Sequence, residues 1–284
     1  MCRLFAQVAT EPRSARGLLV DSEFSLLRQA DAAAGNPQKD GWGVAWFGGD
    51  GRARVVKSGA PAPAERERFV RAADEAVSRV VLGHIRAASK GIPIDEAHAH
   101  PFVDEGWAFA HNGTLTISRE VAAVLGPRRA RLKTDSDTEV YFQQFLKHLD
   151  ASGEPSRAFE LCVEENWLIW EDCRSLYPDA ETPYTSLNAI AADARGAHAL
   201  CHAARKGLAP CGVCHPDQPW SVMSLAERGG LAALASEGLD AGPWTRLSPP
   251  ETVSCLAAAG RIETRRRKLS PRAPRGPIPE VSRT

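Results

Sequence analysis

A cysteine at position 2, directly behind Met1, constrains this chain more than any other residue. By position alone it is either an incidental residue after the start or a nucleophile, and a nucleophile there would tie the start of the first strand to a reaction site. Removal of Met1, which a small second residue such as Cys permits, leaves a thiol and a free α-amine on one residue. Together they make a self-contained nucleophile and base. An α-amine has an ordinary pKa of about 8, so part of it is neutral near pH 7 and can take the thiol proton. Arg3–Thr10 alternates loosely and reads as a short strand beginning at Cys2.

The pattern downstream is one of short strands and a few helices. Ser22–Ala34 has Leu26, Leu27 and Ala30 at helical spacing, and Gly35–Gly41 is a loop by its turn residues. Trp42–Phe47 and Ala53–Lys57 flank Gly48-Gly-Asp-Gly51 as strand, turn and strand. Ala64–Val80 carries an amphipathic helical stripe, while Val80–Ile85 and Trp107–His111 read as buried strands. Ser136 with Glu139 is a capping-box signature for a helix reaching about Leu149. Phe159–Trp170 reads as helical, Leu187–Ala192 and Ala197–His202 as paired strands, and Leu231–Ala235 as a further strand. Strands from both halves interleaved with helices point to one α+β domain with two sheets.

Composition excludes several classes. The net charge is zero, but from Arg265 onward there are seven Lys/Arg against one Glu. Residues 1–264 therefore carry 28 basic and 34 acidic side chains, a mildly acidic body that argues against a nucleic-acid partner. No apolar run is long enough to cross a bilayer, and Arg3, Glu11, Arg13 and Arg16 break up any signal-peptide pattern. Seven unevenly spread cysteines do not make a disulfide framework, so a reducing cytoplasm is the expected compartment. The prolines and basic run from Arg265 predict a disordered tail over 265–284, with one domain over 1–264.

Four motifs suit the holding of an amide against a thiol. In Trp107-Ala-Phe-Ala-His-Asn-Gly-Thr114, Asn-Gly after an apolar strand is either a hairpin turn or an oxyanion hole. In the second case the Asn112 amide and the Gly113 N–H supply two donors. In His84-Ile-Arg-Ala-Ala-Ser89, Arg86 at a strand end can grip a carboxylate or make a structural ion pair. Asp135 and Asp137 in Thr134-Asp-Ser-Asp-Thr-Glu139 can cap a helix, bind a substrate ammonium, or do both. Gly41-Trp-Gly43 and His98-Ala-His-Pro-Phe102 are weaker: an aromatic between glycines can cover a pocket, and His-Pro can fix a loop.

In combination and in order, these pieces resemble the class II glutamine amidotransferases, the N-terminal-nucleophile glutaminases, over about the first 150 residues. The Lys39-Asp-Gly-Trp-Gly43 and Ala-His-Asn-Gly-Thr114 versions look most like small stand-alone bacterial members. The resemblance implies a four-layer αββα sandwich. It implies Cys2 as nucleophile, Arg86 on the substrate α-carboxylate and Asp137 on its α-ammonium. Asn112 and Gly113 would form the oxyanion hole, with His84 and Trp42 lining or shaping the site. The chain departs from many relatives at Ala87, at Ser89-Lys90 and at His98, positions around the pocket mouth.

The implied reaction is cleavage of the γ-amide of glutamine or a γ-glutamyl compound, with no cofactor. No synthase signature follows, so ammonia would pass to a separate protein or water would be the acceptor. A reading of another class is a non-catalytic binding protein on the same fold, against which the complete residue set argues. Cys211-Gly-Val-Cys214-His215 matches a c-type haem attachment pattern, and with Cys201 it could hold zinc. Without an export signal, a surface loop with incidental thiols is the expectation, and no metal is assigned.

Overall fold

Residues 3–14 form one long strand, β1 (Arg3–Ser14), whose alternate side chains enter two different cores. Leu4, Ala6 and Val8 face one way, and Phe5 faces the other. A computed structural model of the chain describes residues 2–31, 38–88, 91–204 and 212–270. Among them the strands continue with β2 (Trp42–Phe47), β3 (Ala53–Ser58), β4 (Val77–Ile85), β5 (Phe102–Asp104), β6 (Trp107–Asn112) and β7 (Asn188–Asp193). They end with β8 (Gly196–Cys201), β9 (Ser224–Arg228), β10 (Leu231–Ala235), β11 (Thr245–Arg246), β12 (Glu251–Ala258) and β13 (Arg261–Lys268). The helices are α1 (Leu26–Asp31), α2 (Arg66–Glu75), α3 (Ser118–Ala123), α4 (Asp137–Ser152) and α5 (Pro155–Cys173).

Two antiparallel sheets stack face to face. The first has seven strands in the order β11-β9-β10-β1-β4-β2-β3, and the second has six in the order β13-β12-β8-β7-β6-β5. Between them lies a core rich in alanine, including Ala6, Ala45, Ala108, Ala110, Ala192, Ala197 and Ala199. Small side chains there let the sheets approach closely. The outer face of the first sheet buries Phe5, Val44, Trp42 and Trp46 against α1 and α2. The outer face of the second buries Phe109, Ala189 and Ala191 against α3, α4 and α5, where Phe142, Phe145 and Phe159 fill the space. The result is the αββα order of layers in a single domain. No helix among the described residues is long and apolar enough to cross a membrane.

Several boundaries differ from the sequence pattern. The predicted helix over 64–80 stops at Glu75, and Val77 already belongs to β4. The apolar residues Ala76, Val77 and Val80 fit the helical stripe and the strand equally, so periodicity alone misplaces the junction. Ser136 is the N-cap of α4, but its side chain makes no capping hydrogen bond. Glu139 instead reaches past it to accept from the backbone N–H groups of Lys133 and Thr134 and from the Thr134 hydroxyl. The predicted tail also begins too early, because Arg265–Lys268 complete β13. That strand is at a sheet edge, where charged side chains are tolerated and guard against further pairing. Residues 271–284 of the tail lie outside the described residues, as do Ser89, Lys90 and Cys211.

Candidate active site

Strand register brings the start of the chain to the end of β4. Arg3 pairs with Ile85 and Leu4 with His84, so Cys2 stands beside Arg86. The Ala87 N–H approaches the Cys2 Sγ at 3.4 Å and donates to it. Parity decides which side chains meet. Leu4 and Leu82 face the inter-sheet core, so Cys2, His84 and Arg86, each an even number of residues along, take the same side. On the second sheet Ala108 and Ala110 face that core, which puts Asn112 on the inter-sheet side too. The thiol and the Asn112 amide therefore come from different sheets.

The surroundings of Cys2 fix its chemistry. Burial pushes the thiol above its ordinary value of 9.0, the Ala87 N–H and the charge of Arg86 pull it back, and Asp137 pushes it further up. A thiol so placed is protonated at neutral pH and needs a base to become a nucleophile. Asp137 and Arg86 act on the same sulfur, which puts an anion and a cation within its electrostatic reach.

Arg86 is buried and braced by loops. Its Nη1 donates to the Pro93 carbonyl at 2.8 Å and to the Asp40 carbonyl at 3.4 Å. Its backbone N–H donates to the Gly41 carbonyl, and the Asp40 carboxylate accepts from the Ala88 N–H at 2.8 Å. Burial lowers the Arg86 pKa, opposed by Cys2, Asp40, Asp95 and Asp137, and a guanidinium stays charged through such a shift. Among the described residues its remaining side-chain N–H groups have no hydrogen-bond partner, and they can meet a carboxylate.

Asn112 ends β6, paired with Asn188 of β7. The chain does not turn back there as a hairpin. It continues through Gly113 toward α3, so the Asn-Gly pair sits at a strand end and not in a tight turn. A Cβ on Gly113 would stand 2.1 Å from the Ser186 carbonyl oxygen, which explains glycine at this position. Asp137 opens α4, and its Oδ2 accepts from the Leu115 N–H at 2.8 Å. That bond ties the segment after Gly113 to the helix and leaves Oδ1 for another partner.

Three buried histidines stand behind these groups. His100 Nδ1 lies 3.2 Å from His84 Nε2, and His111 shares hydrogen bonds with Thr138 Oγ1 and the Ser186 carbonyl. Burial, with the Arg86 charge adding to it, holds His84 at about 3, and burial pushes His100 and His111 down as well. All are neutral at pH 7, which makes them hydrogen-bonding spacers and not charges. Gly43 permits this packing: a Cβ there would meet the His100 carbonyl oxygen at 2.3 Å.

Trp42 goes elsewhere. It faces the outer core, donates from Nε1 to Glu65 at 3.1 Å and stacks edge-on against Phe69. The structure does not bring it to Cys2, because its odd parity relative to Gly43 sends it toward α2. Its glycine neighbours serve close packing: a Cβ on Gly41 would meet the Ser58 carbonyl oxygen at 2.7 Å.

Other residues of the site escape sequence reasoning. Asp40 lies within the Lys39-Asp-Gly motif, but nothing in the sequence reveals that it braces Ala88. Buried Arg3 pairs with buried Glu237 at 3.5 Å, and Glu237 also accepts from the N–H groups of Val213, Cys214 and His215. The Cys214-His215 loop is thereby fastened to the strand that carries the nucleophile. Cys201 is apart from that loop, within the inter-sheet core, where burial pushes its thiol up to about 12. Among the described residues no group of His, Cys, Asp and Glu could hold a metal.

A buried thiol beside a guanidinium, within electrostatic reach of a carboxylate and on the inter-sheet side that Asn112 shares from the opposite sheet, has the groups that could hold an amino acid and attack its side-chain carbonyl. Comparison with known proteins gives the family and the fold. The family model for class II glutamine amidotransferases matches residues 1–167. A γ-glutamyl-hercynylcysteine sulfoxide hydrolase from Mycolicibacterium smegmatis is 31% identical over 156 residues, which is 54% of this chain and 67% of that one. A glutamine–fructose-6-phosphate aminotransferase from Chlamydia caviae is 34% identical over 90 residues, 31% of this chain and 15% of that one. A solved glutamine aminotransferase class-II domain protein from Silicibacter pomeroyi superposes with a TM-score of 0.63 at 20% identity, covering 94% of this chain and all of that chain, and supports the fold.

Proposed function

The chain belongs to the class II glutamine amidotransferases, and from that premise we propose that it hydrolyses the γ-amide of glutamine or of a γ-glutamyl compound. The observation that carries this reading is the placement of Cys2: buried at the head of β1, beside Arg86, within reach of Asp137 and on the face that Asn112 shares. The similarity to a γ-glutamyl-hercynylcysteine sulfoxide hydrolase favours a γ-glutamyl compound as one candidate substrate.

The sequence of steps follows from the groups available. After loss of Met1, the α-amine of Cys2 takes the thiol proton, and the thiolate attacks the γ-carbonyl carbon. The Asn112 side-chain amide and the Gly113 N–H stabilise the oxyanion. The proton passes from the α-ammonium to the leaving nitrogen, the C–N bond breaks, and a γ-glutamyl thioester remains. Water, deprotonated by the same amine, attacks the thioester, and glutamate leaves as the thiol is restored. Arg86 holds the α-carboxylate and Asp137 the α-ammonium, so the glutamyl end is read and the leaving group is not.

The test combines two measurements. Mass spectrometry of the intact N-terminus should show Met1 removed. Diazo-oxonorleucine should label the wild-type chain and leave Cys2→Ala unlabelled. Labelling that persists in Cys2→Ala overturns the assignment. Ammonia or amine release without any acceptor, across glutamine, glutathione and other γ-glutamyl amides, separates hydrolysis from supply to a second protein.

A further inference from the structure

Residues 218–223, Gln-Pro-Trp-Ser-Val-Met, lead into β9 and are held by both sheets at once. A turn closes within them, the Val222 N–H donating to the Pro219 carbonyl at 3.0 Å.

Gln218 fastens this segment to the first sheet. It is buried, and its Nε2 donates to the Ser236 carbonyl at 2.8 Å and to the Val222 carbonyl at 2.7 Å. Its Oε1 accepts from the Ser224 hydroxyl at 3.1 Å. Ser236 follows β10 and is locked to β1. Its hydroxyl accepts from the Leu4 N–H at 2.9 Å, and its own N–H donates to the Leu4 carbonyl at 3.0 Å. Leu4 stands two residues after Cys2.

Asn188 fastens the same segment to the second sheet. It opens β7 directly opposite Asn112. Ile190 and Ala192 face the inter-sheet core, so Asn188 takes that side too, next to Asn112. Its Nδ2 donates to the Ser221 carbonyl at 3.0 Å, and its Oδ1 accepts from the His202 N–H at 2.7 Å. Cys201 of β8 adds a second tie: its Sγ lies 3.6 Å from the same Ser221 carbonyl and accepts from the Met223 N–H at 3.3 Å.

A path of buried hydrogen bonds therefore joins the strand that carries the thiol to the strand beside Asn112. Apolar contact in the alanine-rich core is non-directional, whereas these bonds fix distance and angle.

We infer that residues 218–223 are a strap that sets the gap between the Cys2 thiol and the Asn112 amide, with Gln218 and Asn188 as positioning residues. The inference rests on the roles proposed above for Cys2 and Asn112. Gln218 and Asn188 act through Ser236 and Ser221, while Arg86 and Asp137 hold the glutamyl end.

Gln218→Met keeps the side-chain bulk and removes the tie to Ser236, and Asn188→Ala removes the tie to Ser221. Ala191→Val is the control, because it strains the second sheet from its helical face. Both strap variants should lose about tenfold or more in kcat for the γ-amide substrate, with KM within about twofold, since a shift of about 1 Å at reacting atoms can cost on the order of a hundredfold. Ala191→Val should lose far less kcat for the Tm it loses. Hydrogen exchange on the unliganded chains reads the strap without any activity. Gln218→Met should speed exchange in β6 of the second sheet, and Asn188→Ala should speed it at the start of β1 in the first. Exchange changes confined to the sheet to which each substituted residue is tied, kcat unchanged in either variant, or a kcat loss matched by Ala191→Val overturns the inference. A wild-type chain that hydrolyses no γ-amide overturns the proposed function instead, and the exchange measurement still decides whether the strap couples the sheets.

Discussion

At the residue scale, the state of the Cys2 thiol sets the first expectation. Burial raises its pKa above 9.0, so with Met1 in place the sulfur stays protonated at neutral pH. Alkylation by iodoacetamide should then be slow at pH 7 and climb as pH passes 9 and beyond. The processed chain, with an amine on the same residue, should react at lower pH. Superimposable pH profiles for the two forms would remove the amine from the mechanism. Arg86 gives a second expectation. Lysine keeps the charge but loses the planar fork that grips a carboxylate. Arg86→Lys should raise KM for glutamine by roughly 30-fold, corresponding to about 2 kcal/mol for a charge-assisted hydrogen bond, with a smaller change in kcat. An unchanged KM would mean the carboxylate is held by another group. The roles proposed for Cys2, Arg86, Asn112 and Asp137 can be read from the sequence because each sits in a short motif. The parts of Asp40 and Glu237 cannot, because tertiary packing alone brings them beside Arg86 and Arg3; His100 sits in the legible His98-Ala-His-Pro-Phe102 motif, but its contact with His84 is not readable there.

At the element scale, the loop before β5 is fastened to the approach to α4 by one imidazole. His98 Nδ1 lies 2.7 Å from Asp95 and its Nε2 lies 2.8 Å from Asp135. Burial pushes His98 down, but the two carboxylates outweigh it and raise the pKa above 6.5. The stability this group contributes is therefore full below about 6.5, its unfolded value, and is lost as pH rises through the higher folded value. The Asp95 carboxyl is lowered below 3.8, by its bonds to His98 first, so its share is lost as pH falls through that lower value. His98→Gln should thus lower Tm clearly near pH 6 and much less near pH 9. Equal losses at both would show that only neutral hydrogen bonds hold the loop. The legibility of elements follows a similar divide. β2, β3 and β6–β8 alternate or run apolar between turn residues and can be read directly. β13 cannot, because Arg265, Arg266, Arg267 and Lys268 look like a solvated tail until β12 is present to pair with them.

At the scale of the whole molecule, the site is a matter of spacing between sheets. Cys2 belongs to the first sheet and Asn112 to the second, and the alanine-rich layer sets the gap between them. Ala110 and Ala191 offer a controlled comparison. Both are fully buried in the second sheet, on neighbouring strands, but Ala110 faces the first sheet and Ala191 faces the helices. Valine at either position adds the same volume to a packed core, at a cost of about 1–3 kcal/mol. Both variants should therefore lose a few degrees of Tm. Only Ala110→Val should wedge the sheets apart and move the proposed oxyanion donors, Asn112 and Gly113, away from the thiol. A displacement of about 1 Å at reacting atoms can cost on the order of a hundredfold in rate, so kcat should fall far more in Ala110→Val than in Ala191→Val. Thermal melts and amide hydrolysis on the two proteins decide it. Equal losses of kcat would mean that the helical layer positions the donors as much as the inter-sheet gap does. No loss in Ala110→Val would mean that the Asn112 end of β6 is anchored independently, through the Leu115–Asp137 bond to α4.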